Sequence, residues 1–265
     1  MTEEVKEEIE EYLIEHPCST ATEIIDALDY NISVRTMRRI LSELGYKYSS
    51  TLKEPLIIPR HVNKRLRFAH QNRRKFWNNA VFVDECTFMT FPFPKKAYQK
   101  KGERIVYQRP KKLGKLHVWG GISMEGKTAL HIFTENLTGL LYKKILMNKL
   151  MPSMRRLYRG RRWILVQDND PKHKSGDVEK YIRKANIEVW QNWPAASPDL
   201  NPIENIWAII KNKVSKSRPE TLDELEDAIR SSWRNISNEF IINCIQSMHS
   251  RLQLVILNNG SKIPY

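Results

Sequence analysis

The stretch WILVQDNDPKHKSGD, residues 163–177, decides how this sequence is to be read. Trp163 to Val166 form a short apolar run that passes directly into Asp168, Asn169 and Asp170, and Pro171 ends any strand there. An apolar strand that stops in two carboxylates beside Lys172 and His173 has two readings. Asp168 can close an Asx-turn ahead of the proline. Alternatively, a strand end at the rim of a sheet presents a carboxylate to a hard cation, which takes oxygen ligands and, for magnesium, usually only one or two carboxylates.

Two more acids extend the second reading. AVFVDE, residues 80–85, is an apolar strand ending in Asp84 and Glu85, and NPIENIWAIIKNKV, residues 201–214, reads as a helix with Glu204 in its first turn. Strand ends and a nearby helix start can converge across the 120 positions that separate Asp84 from Glu204. Such acids can hold two ions about 4 Å apart, which clamp the attacking and leaving oxygens of an in-line phosphoryl displacement. Each acid also has a plain structural reading. Asp84 can end a strand at water, leaving Glu85 as the acid that matters. Glu204 fits a capping box, with Asn201 as N-cap, Pro202 at N1 and Glu204 at N3. His173 reads as a surface or supporting histidine, and Trp119, Trp163, Trp190, Trp193 and Trp207 as core.

The surrounding elements predict a mixed α/β sheet. TFMTFP (87–92) and RIVYQ (104–108) follow the first strand, separated by the basic PKKAYQKKGE turn. KLHVWGGIS (115–123) is a strand halted at Gly120 and Gly121, and TALHIF (128–133) follows a Glu125-Gly126 turn. A long helix at 138–158 should turn Leu140, Ile145, Leu146 and Leu150 inward. The strand RWILVQD, the helix SGDVEKYIRKAN and the strand IEVWQN complete the pattern. Meandering strands followed by alternating helix and strand place helices on the faces of one sheet.

The front of the chain has a different texture. In TEEVKEEIEEYLIEHP, Val5, Ile9, Tyr12 and Leu13 share one helical face, and Pro17 ends the helix. Ile24, Ile25 and Leu28 lie on a second short helix. SVRTMRRILSELG reads as a third, with Ser33 as N-cap, Gly45 as C′, and Val34, Met37, Leu41 and Leu44 inward. Arg35, Arg38 and Arg39 lie off that stripe. Three short helices with the basic one last predict a helix-turn-helix whose third helix meets a major groove. A small bundle with a solvated basic helix is the plainer alternative. KYSSTLKEPLIIPRH then reads as an extended linker. A cation-rich helix follows at 62–79, with Leu66, Phe68, Ala69 and Phe76 as its apolar residues. Arg60, Lys64 and Arg65 are its candidates to track a phosphate backbone, against a simple connecting role.

Charge supports a polyanionic partner. The 265 residues carry 44 Lys or Arg against 30 Asp or Glu, a formal +14. Residues 1–30 hold ten acids and one Lys, whereas 31–80 hold twelve Lys or Arg and two Glu. A merely solvated basic face is the alternative. No apolar run approaches the ~20 residues of a membrane helix, and the acidic start is unlike a secretory signal. Cys18, Cys86 and Cys244 are scattered, which fits neither a disulfide framework nor a zinc site and suits a reducing compartment.

VFVDECTF, LHVWGGIS, VQDNDPKHKS and WPAASPDLNPIENIWAIIKNKV together resemble the Tc/mariner transposases, in the subgroup with an Asp-Asp-Glu triad. SVRTMRRILSELGY and KRLRFAH also resemble that family's second helix-turn-helix and the segment behind it. The resemblance implies an RNase H-like α/β fold, a mixed sheet flanked by helices and preceded by a small all-α helix-turn-helix domain. It divides the chain into 1–48, a DNA-binding domain; 49–79, a linker and connecting helix; 80–220, a catalytic domain; and 221–265, a C-terminal helical segment. It implies Asp84, Asp168 and Glu204 as catalytic acids and ligands of two Mg2+ or Mn2+ ions, whereas Asn169, Asp170 and Asp199 match motif positions outside the triad. It further implies hydrolysis and strand transfer at transposon ends, insertion at TA, double-stranded DNA as partner (terminal inverted repeats and target), a homodimer, and a nuclear location in a eukaryote. A DNA-binding protein without catalysis and a nuclease without strand transfer are the alternatives. Three departures stand out. The chain starts near the family's second unit, so a first helix-turn-helix is expected to be lacking. The linker has no Gly-Arg-Pro-Arg hook. The 35 residues between Asp168 and Glu204 are one more than the commonest spacing, which the loop near QNWPAAS can absorb.

Overall fold

The computed structural model describes residues 3–48, 57–90 and 114–265. The linker stretch 49–56, the expected RIVYQ strand and its basic turn lie outside these residues. The chain forms two compact units, Met1–Glu54 and Pro55–Tyr265.

In the first unit, helices α1 (Glu3–Glu15), α2 (Ala21–Ala27) and α3 (Val34–Glu43) close around Ile9, Ile24, Met37 and Ile40. Local chemistry sets their starts. Thr20 and Glu23 form a reciprocal capping box on α2, and the Ser33 side chain accepts from the Thr36 amide on α3. Gly45, at φ 86°, closes α3 in the left-handed conformation. The inward stripe of α3 differs from the expected one by a fraction of a turn. Ile40 is buried, whereas Val34, Leu41 and Leu44 are only half-buried. Arg35, Arg38 and Arg39 are exposed as expected.

The second unit is built on a six-stranded sheet ordered β3-β2-β1-β5-β6, with β4 also paired to β2. Its strands are β1 (Ala80–Met89), β2 (Lys115–Ser123), β3 (Gly126–Lys127), β4 (His131–Phe133), β5 (Ile164–Val166) and β6 (Glu188–Val189). β2 runs antiparallel to β1, β3 and β4, while β1, β5 and β6 are mutually parallel. β2 does not halt at its glycines but runs through them. A Cβ on Gly120 would come within 3.0 Å of the Trp207 and Trp233 rings, and one on Gly121 within 2.9 Å of Val83. Both positions are points of close packing.

Helices cover the two faces. Against one face lie α5 (Gly139–Ile145), α6 (Met151–Tyr158) and α7 (Gly176–Lys184), around Val81, Val83, Trp119 and Leu165. The expected long helix is continuous through a π-turn at Leu146–Leu150, just ahead of Pro152, which cannot donate a backbone hydrogen bond. Leu140, expected inward, is 56% exposed. The other face carries α4 (Pro59–Asn72), α8 (Ile203–Ser217), α9 (Leu222–Arg234), α10 (Asn238–Gln246) and α11 (Met248–Leu257). The connecting helix and the residues from 221 onward therefore belong to the same core as the sheet. Leu225, Ile229, Ile245 and Leu252 bury there together with Phe68 and Ala69. No helix among the described residues is long and apolar enough to cross a membrane.

Two expectations for the connecting helix are corrected. The helix, expected to run to residue 79, ends at Asn72, which leaves Phe76 77% exposed while Trp77 is buried. Arg65 does not face outward with Arg60 and Lys64. It is fully buried, because its guanidinium meets Asp199 in a fork of two hydrogen bonds, 2.7 and 2.6 Å long. Removing one partner of such a pair leaves an uncompensated buried charge. Arg65→Ala should therefore lower stability by about 3–5 kcal/mol, read as the midpoint shift in urea unfolding. A variant that kept its midpoint but lost DNA affinity would return Arg65 to the surface role.

Candidate active site

The pleat of β1 distributes the acids. Successive side chains of a strand point to opposite faces. Phe82 packs with α8 and Val81 and Val83 with α5 to α7, so Asp84 points to the α8 side and Glu85 to the other. The parallel register of Phe82 with Val166 brings Asp168, two residues past the end of β5, level with Asp84 on the neighbouring strand. Strand neighbours lie about 4.8 Å apart.

Glu204 arrives from α8. Asp84 faces Gly120 across the β1–β2 pair, and the missing side chain there admits Trp207. Glu204 precedes Trp207 by three residues and so lies on the same helical face. Its carboxyl stands close enough to that of Asp84 for each to shift the other's ionisation. The capping-box arrangement does not form. The helix begins at Ile203 behind Pro202, without a side-chain cap. The carboxylate is thus free for the sheet, while the Glu204 amide donates to the Asn201 carbonyl at 3.1 Å.

Electrostatics record the convergence. Burial raises the Asp84 carboxyl well above its ordinary 3.8, and the charges of Glu204, Glu85 and Asp168 raise it further. Burial likewise raises Glu204, partly offset by Lys211 two turns along the same helix face. The two acids therefore favour sharing a proton over ionising together. Asp168 behaves oppositely. Burial pushes it upward, but His173, the Asp170 amide and Lys172 outweigh burial and hold it below 3.8. Its Oδ1 accepts from the Asp170 amide at 2.9 Å, so the Asx-turn reading holds together with the convergence.

Of the two readings of His173, surface or supporting, the structure takes the second. His173 is 3% exposed and packs against Tyr142, tilted 32° with ring centroids 4.1 Å apart. Its Nδ1 lies 2.8 Å from Asp168 Oδ1 and its Nε2 3.4 Å from Glu85 Oε1. These are ion-pair contacts rather than well-aligned hydrogen bonds. Burial alone would lower this imidazole, but the two carboxylates outweigh it and push its pKa up to about 10. His173 is thus a buried cation that steadies Asp168 from the face opposite Glu204. The Tyr142 hydroxyl donates to Gln167 Oε1 at 2.6 Å and fixes the residue just before Asp168. Lys172 pairs with Asp170, and Lys174 donates to Asn169, so the basic cluster is largely occupied with its own loop. Asp199 is taken up by Arg65 and is remote in role from the acids.

A hard divalent cation fits this donor set, which is all oxygen and carries unrelieved repulsion in a partly dry setting. Asp84, Glu204 and Asp168 are the side chains that would hold it. Among the described residues no three acidic, His or Cys side chains already stand as a ligand group. Asp84 and Glu204 are turned to each other and Asp168 to His173, so binding requires the shared proton to leave.

A family model described as DDE superfamily endonuclease matches residues 79–226, and a helix-turn-helix model described as transposase matches 6–74. The second match overturns the expectation that a first helix-turn-helix is lacking, because the helical front of the chain is itself a matched transposase segment. The Tc3 transposase of Caenorhabditis elegans is 30% identical over 256 residues, covering 94% of this chain and 77% of that protein. The Tc1 transposase of the same organism is 28% identical over 266 residues, covering 95% and 96%. Among solved structures, the Mos1 transposase paired-end complex with the left transposon end aligns over 97% of this chain and 79% of that one, with a TM-score of 0.74 and 20% identity. The catalytic domain of Mos1 mariner transposase aligns over 80% of this chain with a TM-score of 0.65 and 19% identity. Both support the RNase H-like fold.

The raised Asp84 pKa sets a signed expectation. A carboxyl raised on folding stabilises the fold fully below its unfolded value, and that contribution is lost as pH rises through the folded value. At pH 7 the metal-free protein therefore carries a penalty that Asp84→Asn should remove, raising its melting temperature. Mn2+ at 100 times its dissociation constant should stabilise the unaltered chain by about 2.7 kcal/mol and Asp84→Asn far less. Calorimetry with and without Mn2+ checks both, and equal Mn2+ stabilisation of the two proteins would contradict the site.

Proposed function

We propose, for a chain that belongs to the DDE superfamily endonucleases and to their Tc-type transposase branch, that Asp84, Asp168 and Glu204 are the catalytic acids of a DNA transposase. The observation that carries this is the Asp84–Glu204 contact, which joins residues 120 positions apart that have little structural reason to meet. Two magnesium or manganese ions bound by the three acids would supply the positive charge that steadies the attacking and leaving oxygens of a phosphodiester exchange. The protein's own part is to prepare the ligands. Glu204 and Asp84 give up their shared proton and offer oxygens from helix and sheet. Asp168, ionised at neutral pH, is held in orientation by His173 and the Asp170 amide.

The reaction has two stages of the same chemistry. Water attacks a phosphodiester at the end of the element and releases a 3′-hydroxyl. That hydroxyl then attacks a phosphodiester of target DNA, so one bond forms as one breaks. The partners on this reading are double-stranded terminal repeats and target DNA. Joining two ends calls for two copies of the chain, and in a eukaryote the substrate puts the work in the nucleus. The Mos1 structures support this reading, since they include a paired-end complex with the left transposon end and paired-end complexes with Mg or Mn. Arg35, Arg38 and Arg39 on α3 supply the recognition surface, and Arg60 and Lys64 supply phosphate contacts from α4.

Asp168→Asn should abolish Mn2+-dependent nicking of duplex DNA bearing the terminal repeats while leaving DNA affinity within about threefold, as measured by gel shift. Residual nicking at the rate of the unaltered protein would remove Asp168 from the site. Nicks without joined product would instead indicate a nuclease. For binding, log affinity should fall linearly with log salt. If the Arg38 contact is to phosphate, Arg38→Ala should reduce that slope by about 0.9. An unchanged slope and affinity would take α3 out of the interface.

A further inference from the structure

Glu204 stands in the first turn of a helix that no side chain caps. The Glu204 and Asn205 amides reach only the Asn201 and Pro202 carbonyls, at 3.1 and 3.2 Å, and an uncapped first turn of this kind frays readily. Its placement is nonetheless fixed, and two buried arginines from distant parts of the chain do the fixing. Arg65 of α4 uses all five guanidinium N–H groups. Nη1 donates to Ser197 Oγ at 2.9 Å and Asp199 Oδ1 at 2.7 Å, and Nη2 to Asp199 Oδ2 at 2.6 Å and the Ser261 carbonyl at 3.1 Å. Nε donates to the Gly260 carbonyl at 2.9 Å. Asp199 Oδ2 also accepts from the Ile263 amide at 3.0 Å. Arg251 of α11 is 1% exposed. It donates from Nη1 to the Asp199 carbonyl at 2.7 Å, from Nη2 to Asn205 Oδ1 at 2.6 Å and from Nε to Ser247 Oγ at 2.8 Å. The Tyr265 ring covers its guanidinium at 4.1 Å.

The two arginines therefore hold the chain on either side of Glu204, at Asp199 before it and at Asn205 immediately after it. We propose that Arg65 and Arg251 are positioning residues for Glu204: they clamp segment 197–205, with the C-terminal tail 260–265 as the backing of the clamp, so that the carboxylate stays against Asp84. This rests on the reading of Glu204 as a catalytic acid. General stability is a weaker account of the arrangement. Buried ion pairs seldom stabilise more than apolar residues of equal volume, and their best-attested use is to fix one geometry among several. The rigid planar fork of arginine, which lysine cannot reproduce, suits that use.

Asn205→Ala removes one arm of the clamp and leaves the buried Arg65–Asp199 pair intact, and Arg251→Lys keeps the charge while losing the fork. Ile229→Val, in α9, serves as a core variant outside the clamp, with stability measured for all three. Two readouts apply to the metal-free and Mn2+-loaded protein: hydrogen exchange at the Glu204 and Asn205 amides, and Mn2+ affinity by electron paramagnetic resonance. Both clamp variants should exchange these two amides at least about tenfold faster and bind Mn2+ about 10–100-fold more weakly, the usual effect of losing a group that orients a ligand. Ile229→Val should do neither, and terminal-repeat affinity should be unchanged throughout. Exchange and Mn2+ affinity equal to those of the unaltered chain would overturn the clamp. An unaltered chain that takes up no Mn2+ would instead sink the catalytic reading, and the exchange arm would still decide the clamp.

Discussion

The second unit depends on one place where two elements touch without room for a side chain. Gly120 faces Asp84 across the β1–β2 pair, and a Cβ there would stand 3.0 Å from Leu130, Trp207 and Trp233. The glycine lets the Trp207 and Trp233 rings, stacked 5.5 Å apart, lie against the sheet. With Trp207 seated, α8 has one rotation about its axis, and Glu204 comes to Asp84. Close packing of large rings, not attraction between acids, brings the carboxylates together. Their mutual repulsion is a cost that the surrounding apolar burial outweighs.

The pleat then separates two kinds of work across one strand. On the α8 side, burial raises Asp84 and Glu204, and each carboxyl bears on the ionisation of the other. On the other side, Glu85 and Asp168 flank the buried His173, which carries a positive charge. Asp168 is the member common to both environments. The oppositely directed pKa shifts of Asp84 and Asp168 follow from their partners and not from residue type, since both are aspartates level with one another on neighbouring parallel chain segments.

Much of this was legible in the sequence because it is local. The apolar runs before Asp84 and before Asp168 mark strands whatever their partners, and Ser33 caps α3 through an amide three residues away. That Asp84 and Glu204 could meet was legible as a possibility from a strand end and a helix start, while spacing alone left a capping box open for Glu204 and the family resemblance chose between the two. What escaped is long-range. Arg65 reads as one more cation in KRLRFAH, and only Asp199, 134 positions on, makes it a buried group. Glu85 was weighed as a substitute for Asp84, whereas the pleat sends the two to opposite faces. His173 gave no sign of burial because a histidine beside lysines looks solvated. Leu140 was placed inward on helical periodicity that ignores where a helix starts.

That alternation also bears on how this gene can change over generations. An insertion or deletion of a single codon between Ala80 and Asp84 would invert the parity of β1, sending the aspartate toward Tyr142 and bringing its neighbour under Trp207. The strand can gain or lose residues only in pairs, or at its ends. The loop between β6 and α8 is under no such rule, since extra length there is taken up before the chain reaches Asp199. Homologous chains should therefore drift in length between the second and third acids while holding an even count through β1.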